Sequence, residues 1–98
     1  MAYILLNKPK KKISIPKIEA GRIYNSPIYK GLRLRKLAEN PLCERCEAKD
    51  ITRAAIETHH RIPFMLGTSH NARLKLAFDF YNLESLCIEC HHLEHFNN

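Results

Sequence analysis

The apolar positions of this chain fall into short, broken runs, and the breaks carry most of the information. After Tyr3-Ile-Leu-Leu6 the residues alternate lysine and proline with isolated isoleucines, as Asn7-Lys-Pro-Lys-Lys-Lys-Ile-Ser-Ile-Pro-Lys-Ile18. Pro9 and Pro16 interrupt any helical pattern, because proline lacks the backbone donor a helix interior needs. Residues 1–22 therefore read as a basic, extended N-terminal arm. Ser26-Pro27 reads as a helix start: a serine oxygen can accept the free N–H groups of a first turn, and proline fits that turn. An imperfect apolar stripe follows at Ile28, Leu32, Leu34, Leu37 and Ala38, with Lys30, Arg33, Arg35 and Lys36 around it. Asn40-Pro41 ends this helix near Glu39. Ala54–His59 predicts a short strand carried by Ile56 and Thr58. Pro63 and Gly67 open a long loop, and Asn71–Phe78 has helix-like spacing at Leu74, Leu76 and Ala77. Asp79–Leu86 predicts a second short strand and contains Asn82, and from Cys87 onward the chain predicts a final helix. There is no internal repeat.

A chain of 98 residues makes one small domain, here residues 23–98 behind the arm. A core this small, with eight aromatic residues and no tryptophan, is a thin source of stability, so a staple is expected. A 45% hydrophobic content excludes a disordered chain. No apolar run approaches the ~20 residues that span a bilayer. The opening residues lack the basic stretch of a secretory signal, which predicts a soluble, non-secreted protein without a membrane partner. The net charge of +6 hides an asymmetry: residues 1–36 hold ten Lys and Arg against Glu19 alone, whereas residues 37–98 hold six basic and nine acidic residues. A basic arm on a mildly acidic body points to a polyanion, nucleic acid before others, or to a merely solubilising tail.

Four cysteines could form two disulfides or hold one metal, and spacing separates the two. Cys43 and Cys46 make one C-x2-C pair, Cys87 and Cys90 a second, with 40 residues between. Each pair is a compact turn whose thiolates can converge on one ion, and two pairs complete a tetrahedral zinc site. A reducing compartment argues against disulfides. Joining 43–46 to 87–90 also closes almost the whole body into one loop, which is the staple the core lacks.

Five of six histidines fall in two clusters, His59-His60 and His91-His92 with His95. His91 and His95 stand four apart, which on a helix puts their rings on one face, about 40° apart around the axis. This spacing lets a helix grip one divalent ion. Cys90, about 100° from His91, can turn to the zinc while the histidines face elsewhere. His59 and His60, adjacent on a strand, point to opposite sides of it, so one can ligate a metal while the other acts as a base. The bland alternative is that these histidines extend the zinc site or decorate the surface, the reading kept for His70 in its loop.

At this point the residues carry a resemblance. C-x2-C, a strand ending in His59-His60-Arg-Ile-Pro63, then Asn82-Leu-Glu-Ser-Leu-Cys87 and C-x2-C-H ending at His91 resemble the HNH endonuclease family over roughly residues 41–96. The resemblance implies an α+β fold, the small ββα-metal (HNH, or His-Me finger) domain, stapled by four-cysteine zinc and preceded by a helix and the arm. The opening residues are similar to HNH proteins of bacteriophages and prophages of Gram-positive bacteria, which implies the cytoplasm of a bacterial host. By the same resemblance His60 is the general base, Asn82 holds the loop and orients that base by hydrogen bonding, and His91 is a catalytic-site metal ligand with His59 and, less securely matched, His95. The implied cofactors are structural Zn2+ at Cys43, Cys46, Cys87 and Cys90 and one catalytic Mg2+, Mn2+, Ni2+ or Zn2+. The implied reaction is DNA phosphodiester hydrolysis, by nicking or double-strand cutting, leaving 5′-phosphate and 3′-hydroxyl ends. Arg61 follows the base and is a candidate phosphate contact, as are Lys10, Lys11 and Lys12 in the arm and Arg33, Arg35 and Lys36 on the first helix. The competing expectations are a non-catalytic zinc module that binds DNA, and an adaptor that docks on a phage terminase or portal protein during packaging. A monomer is expected.

Overall fold

The computed structural model describes residues 15–96, except for the side chains of 95 and 96. In chain order it contains helix α1 (Ile15–Tyr24), α2 (Pro27–Glu39), the single-turn α3 (Glu44–Glu47), strand β1 (Glu57–His60), α4 (His70–Ala77), strand β2 (Leu83–Leu86) and α5 (Ile88–Phe96). Short 3-10 turns at Phe64–Leu66 and Phe80–Asn82 flank α4. No helix among the described residues is long and apolar enough to cross a membrane.

The start of the chain departs from expectation. Residues 15–22, read as part of an extended arm, fall in α1, which has Pro16 at its second position and runs on to Tyr24. Proline is tolerated there because the first turn of a helix has no use for its N–H. The helix belongs to the body: Ile23 is buried with Phe64 and Ala77, and Ala20 packs against them. The stretch 1–14 lies outside the described residues.

Ser26 ends α1 and starts α2. Its hydroxyl donates to the Ile23 carbonyl at 2.6 Å and accepts from the Tyr29 N–H at 3.2 Å, and Pro27 follows at the first helical position. The side that α2 buries is not the anticipated stripe. Ile28 and Leu34 are largely exposed, whereas Tyr29 and Lys36 are buried. The face that carries Tyr29 and Lys36 rests on the sheet, where the Tyr29 hydroxyl meets Thr58 Oγ1 at 2.8 Å. Lys36 Nζ meets Glu44 at 3.2 Å and Asn40 at 2.9 Å. A long amphipathic side chain with partners for its charge can thus replace an apolar residue in a helix seam.

β1 and β2 pair antiparallel, with Glu57 opposite Leu86, Thr58 opposite Ser85, His59 opposite Glu84 and His60 opposite Leu83. The first strand starts three residues later than the sequence suggests, and its alternation is strict: Thr58 and His60 buried, Glu57 and His59 half-buried. β2 is buried at all four positions, because α2, α3 and α5 all pack against it. Between the strands the chain makes its 3-10 turn and then α4, capped by Ser69, whose side chain accepts from the Ala72 N–H. Gly67 is required at this junction: a Cβ there would lie 2.7 Å from the Arg73 backbone nitrogen. Two apolar clusters result, one around Cys43, Cys46, Leu86 and Cys87, the other joining Ile23 of α1 to Phe64 and Ala77.

Candidate active site

The four cysteines converge as their spacing requires. Cys43 precedes α3, Cys46 lies within it, Cys87 precedes α5 and Cys90 lies in its first turn. All four sulfurs fall within 4.8 Å of one another, and Cys46 Sγ is 3.8 Å from both Cys87 Sγ and Cys90 Sγ. Zinc–sulfur bonds of about 2.3 Å at tetrahedral angles place sulfurs about 3.8 Å apart, so the cluster fits a four-coordinate metal. Burial pushes the Cys87 thiol up, but the Cys90 N–H and the neighbouring thiols outweigh it and bring it to about 7. Burial and crowding by the other thiols push Cys90 up to about 12. Cys87 therefore ionises far more readily than Cys90.

His60 is the last residue of β1 and is 4% exposed. Its ring lies flat on Tyr29 at 5.5 Å between centroids, with the edges of Phe64 at 4.9 Å and Tyr24 at 6.1 Å. Nε2 lies 3.0 Å from the carbonyl oxygen of Ala77. A carbonyl only accepts, so Nε2 carries the hydrogen and Nδ1 keeps the lone pair. Burial lowers the imidazole below its ordinary value, with His59 adding to this and the Ala77 carbonyl opposing it. A neutral ring with one nitrogen pinned and the other basic is the state a general base needs.

Asn82 acts at one remove from this ring. The resemblance implied that Asn82 holds the loop and orients the base by hydrogen bonding. In the structure Asn82 Oδ1 accepts from the Ile62 N–H at 2.9 Å, and Nδ2 donates to the carbonyls of Ile62 and Leu76, each at 3.0 Å, so its bonds go to the loop and not to the ring itself. Helix α4 ends at Ala77, so the Leu76 and Ala77 carbonyls have no partner within the helix. Asn82 satisfies the first and His60 the second. The buried amide therefore fixes the chain on both sides of the base: the loop leaving His60 and the helix end on which His60 rests.

His59, His60 and His91 line one cavity of about 870 Å3, together with Tyr24, Lys30 and Arg33. His59 points to the opposite side of β1 from Thr58 and His60, as adjacent strand residues must. Its Nε2 lies 3.3 Å from Glu94 Oε1, and Glu94 Oε2 in turn meets Arg45 at 2.6 Å. The Arg45 hydrogen bond holds the Glu94 carboxyl below its usual range. His91 is half-buried one turn into α5, His92 is exposed, and His95 follows on the same helix with its side chain outside the described part. The histidine pair on β1 and the histidine of α5 are thus brought to one place, with nitrogen donors suited to a divalent transition ion.

The basic residues divide. Lys36 is 6% exposed and bound to Glu44 and Asn40, so it is a structural residue and not a phosphate contact. Arg61 meets Glu44 at 3.0 Å and Glu84 at 3.6 Å, and Arg35 meets Glu39 at 2.7 Å while covering the Phe80 ring. Arg33 binds the Ile56 carbonyl and Glu57 but still borders the cavity beside the exposed Lys30. Lys10, Lys11 and Lys12 lie outside the described residues. Pattern reading missed the Ala77 carbonyl, which has no side-chain signature, and the Arg45–Glu94 pair. Glu94 had a signal, since it sits three residues after His91 on one helical face.

A two-stranded antiparallel sheet backed by a helix, with a histidine pair at the end of one strand and a histidine on the helix, defines a ββα-metal nuclease site. The HNH endonuclease family profile matches residues 43–97, more than half of the chain, and the protein belongs to that family: it is an HNH-type DNA endonuclease, a phosphodiester hydrolase. The crystal structure of the HNH endonuclease of the deep-sea thermophilic bacteriophage GVE2 with manganese ion is similar, with a TM-score of 0.68 at 29% identity over 84% of each chain. None of the curated proteins matches the chain.

Proposed function

We propose that the protein hydrolyses DNA phosphodiester bonds with His60 as general base, one divalent ion held by His59, His91 and His95, and a structural zinc held by Cys43, Cys46, Cys87 and Cys90. The observation that carries this reading is His60 pinned through Nε2 to the Ala77 carbonyl, in the cavity that His59 and His91 also line. A phosphodiester resists attack because its negative charge repels nucleophiles and its 3′ oxygen is a poor leaving group. Nδ1 of His60 takes a proton from water as the water oxygen bonds to phosphorus and the bond to the 3′ oxygen breaks; the departing 3′ oxygen takes a proton from solvent, leaving a 5′-phosphate and a 3′-hydroxyl. Bound by the three histidines, a divalent ion supplies electrostatic stabilisation for charge developing on the phosphoryl and leaving oxygens. The Ala77 carbonyl keeps the base from rotating, Asn82 fixes the chain on both sides of it, and Tyr29 and Phe64 keep bulk water from most of its ring.

The manganese of the phage neighbour supports Mn2+ as one competent ion, and nitrogen donors also accept Ni2+ or Zn2+. A phage or prophage source, the cytoplasm of a bacterial host and work beside terminase or portal proteins form one extended reading, supported by the phage source of that neighbour. The test is incubation of supercoiled plasmid with zinc-loaded protein and Mg2+, Mn2+ or Ni2+. Nicked or linear product that requires an added ion is expected. No cleavage with any ion would leave a zinc-stabilised DNA-binding module instead.

A further inference from the structure

We propose that Arg45 and Glu94 form a positioning relay that fixes the ring of His59 as a metal ligand and so ties the cysteine knuckle to the histidine site. The inference rests on the reading of His59 as a ligand. Arg45 sits in α3 between Cys43 and Cys46, and its guanidinium spans two carboxylates. Nε and one terminal nitrogen meet Glu84 at 3.3 and 3.0 Å, and the other terminal nitrogen meets Glu94 at 2.6 Å. Glu84 stands directly across the sheet from His59, and Glu94 reaches His59 Nε2 from α5. Three separate elements, α3, β2 and α5, therefore converge on one ring through a single arginine.

The chemistry follows from donor and acceptor roles. A carboxylate paired with arginine is ionised and can only accept, so His59 Nε2 carries the hydrogen and Nδ1 keeps the lone pair. Ligating histidines commonly hand their second nitrogen to a carboxylate in this way, which fixes tautomer and ring angle. Glu94 alone could not do this, because a glutamate side chain rotates about three bonds. Clamped by Arg45, it has one position. The side chains of Glu84, Glu94 and His59 are 8%, 26% and 18% exposed, so water competes weakly for the pairings.

The relay predicts an effect opposite in sign to plain electrostatics. Removing a positive charge near a cation site should tighten metal binding by Coulomb's law. If Arg45 acts by holding Glu94, its removal should weaken binding. The experiment titrates Mn2+ into zinc-loaded parent, Arg45→Met, Arg45→Lys and Glu94→Gln proteins, following free Mn2+ by electron paramagnetic resonance, with zinc content and thermal unfolding measured alongside. Arg45→Met and Glu94→Gln should raise the Mn2+ Kd about 10- to 100-fold, the scale for losing such an outer partner. Arg45→Lys keeps the charge but not the fork that spans two carboxylates, and should recover only part of the loss. Should Arg45→Met fail to fold or to keep zinc, Arg45→Lys and Glu94→Gln carry the comparison. A Kd within twofold of the parent, or tighter binding in Arg45→Met, overturns the relay while leaving the nuclease reading intact. A parent that binds no Mn2+ overturns both. A parent that binds Mn2+ but cuts no DNA overturns the nuclease reading alone.

Discussion

Replacing His60 tests the chemistry and the packing of the site together, and the structure allows the two to be separated. In His60→Ala the base is gone, which by itself should slow cleavage about 10²–10⁴-fold, or about 2.7–5.4 kcal/mol of transition-state stabilisation. The ring is also 4% exposed and touches Tyr29, Tyr24 and Phe64. Truncating a buried ring of this kind costs about 2–4 kcal/mol, and the Ala77 carbonyl loses its partner at about 1 kcal/mol more. That is a large part of the 5–15 kcal/mol typical of a small domain, so an inactive alanine variant would prove little alone. His60→Gln retains an N–H for Ala77 and much of the volume but has no basic nitrogen. The assay is the nicking rate of supercoiled plasmid at saturating DNA and metal, with thermal unfolding of each variant. Both variants should lose rate on the scale above, with His60→Gln the more stable. Added imidazole, small enough for the space left in His60→Ala, should restore part of the activity. Cleavage by His60→Gln within threefold of the parent, or rescue by extra metal in place of imidazole, would refute the assignment of the base.

Four further outcomes are expected. Asn82→Ala removes three buried hydrogen bonds and should lower stability by about 3 kcal/mol, at about 1 kcal/mol each, and slow cleavage less than His60→Gln does, as denaturant melts and nicking rates will show. Chelation of zinc or Cys43→Ser should unfold the body cooperatively, seen as loss of helical circular dichroism in step with zinc release. Deleting residues 1–14 removes Lys8, Lys10, Lys11 and Lys12 and should weaken DNA binding and flatten its salt dependence, measured by fluorescence anisotropy across salt concentrations, while cleavage at saturating DNA and the melting temperature hold. Glu19 of α1 binds His70 at 2.9 Å and Arg73 at 3.0 Å, and the His70 hydrogen bond holds its carboxyl below the ordinary 4.5. A lowered carboxyl lends stability above that value and loses it as the pH falls, so the melting-temperature gap between parent and Glu19→Gln should close as the pH drops below 4.5.

Much of this protein could be read without coordinates, and the reason is local. The two C-x2-C pairs, the histidine pair and the helical His91 are side chains whose chemistry is specific at short spacing, so pattern alone grouped Cys43, Cys46, Cys87 and Cys90, which the fold gathers into a cluster that could hold a metal, and His59, His60 and His91, which line one cavity. Ser26-Pro27 and Asn40-Pro41 marked both ends of α2 because caps and prolines act within one turn. Tertiary contacts governed what lay beyond that range. Helix α1 forms across Pro16 because Ile23 has a core to enter, and Lys36 lies buried where Leu34 does not, because α2 turns its Tyr29–Lys36 face to the sheet. The hydrogen bond that sets the tautomer of His60 comes from a backbone carbonyl seventeen residues away. Every residue carries such a carbonyl; only the fold selects the one at Ala77, at the open end of α4 where no helical partner remains to claim it.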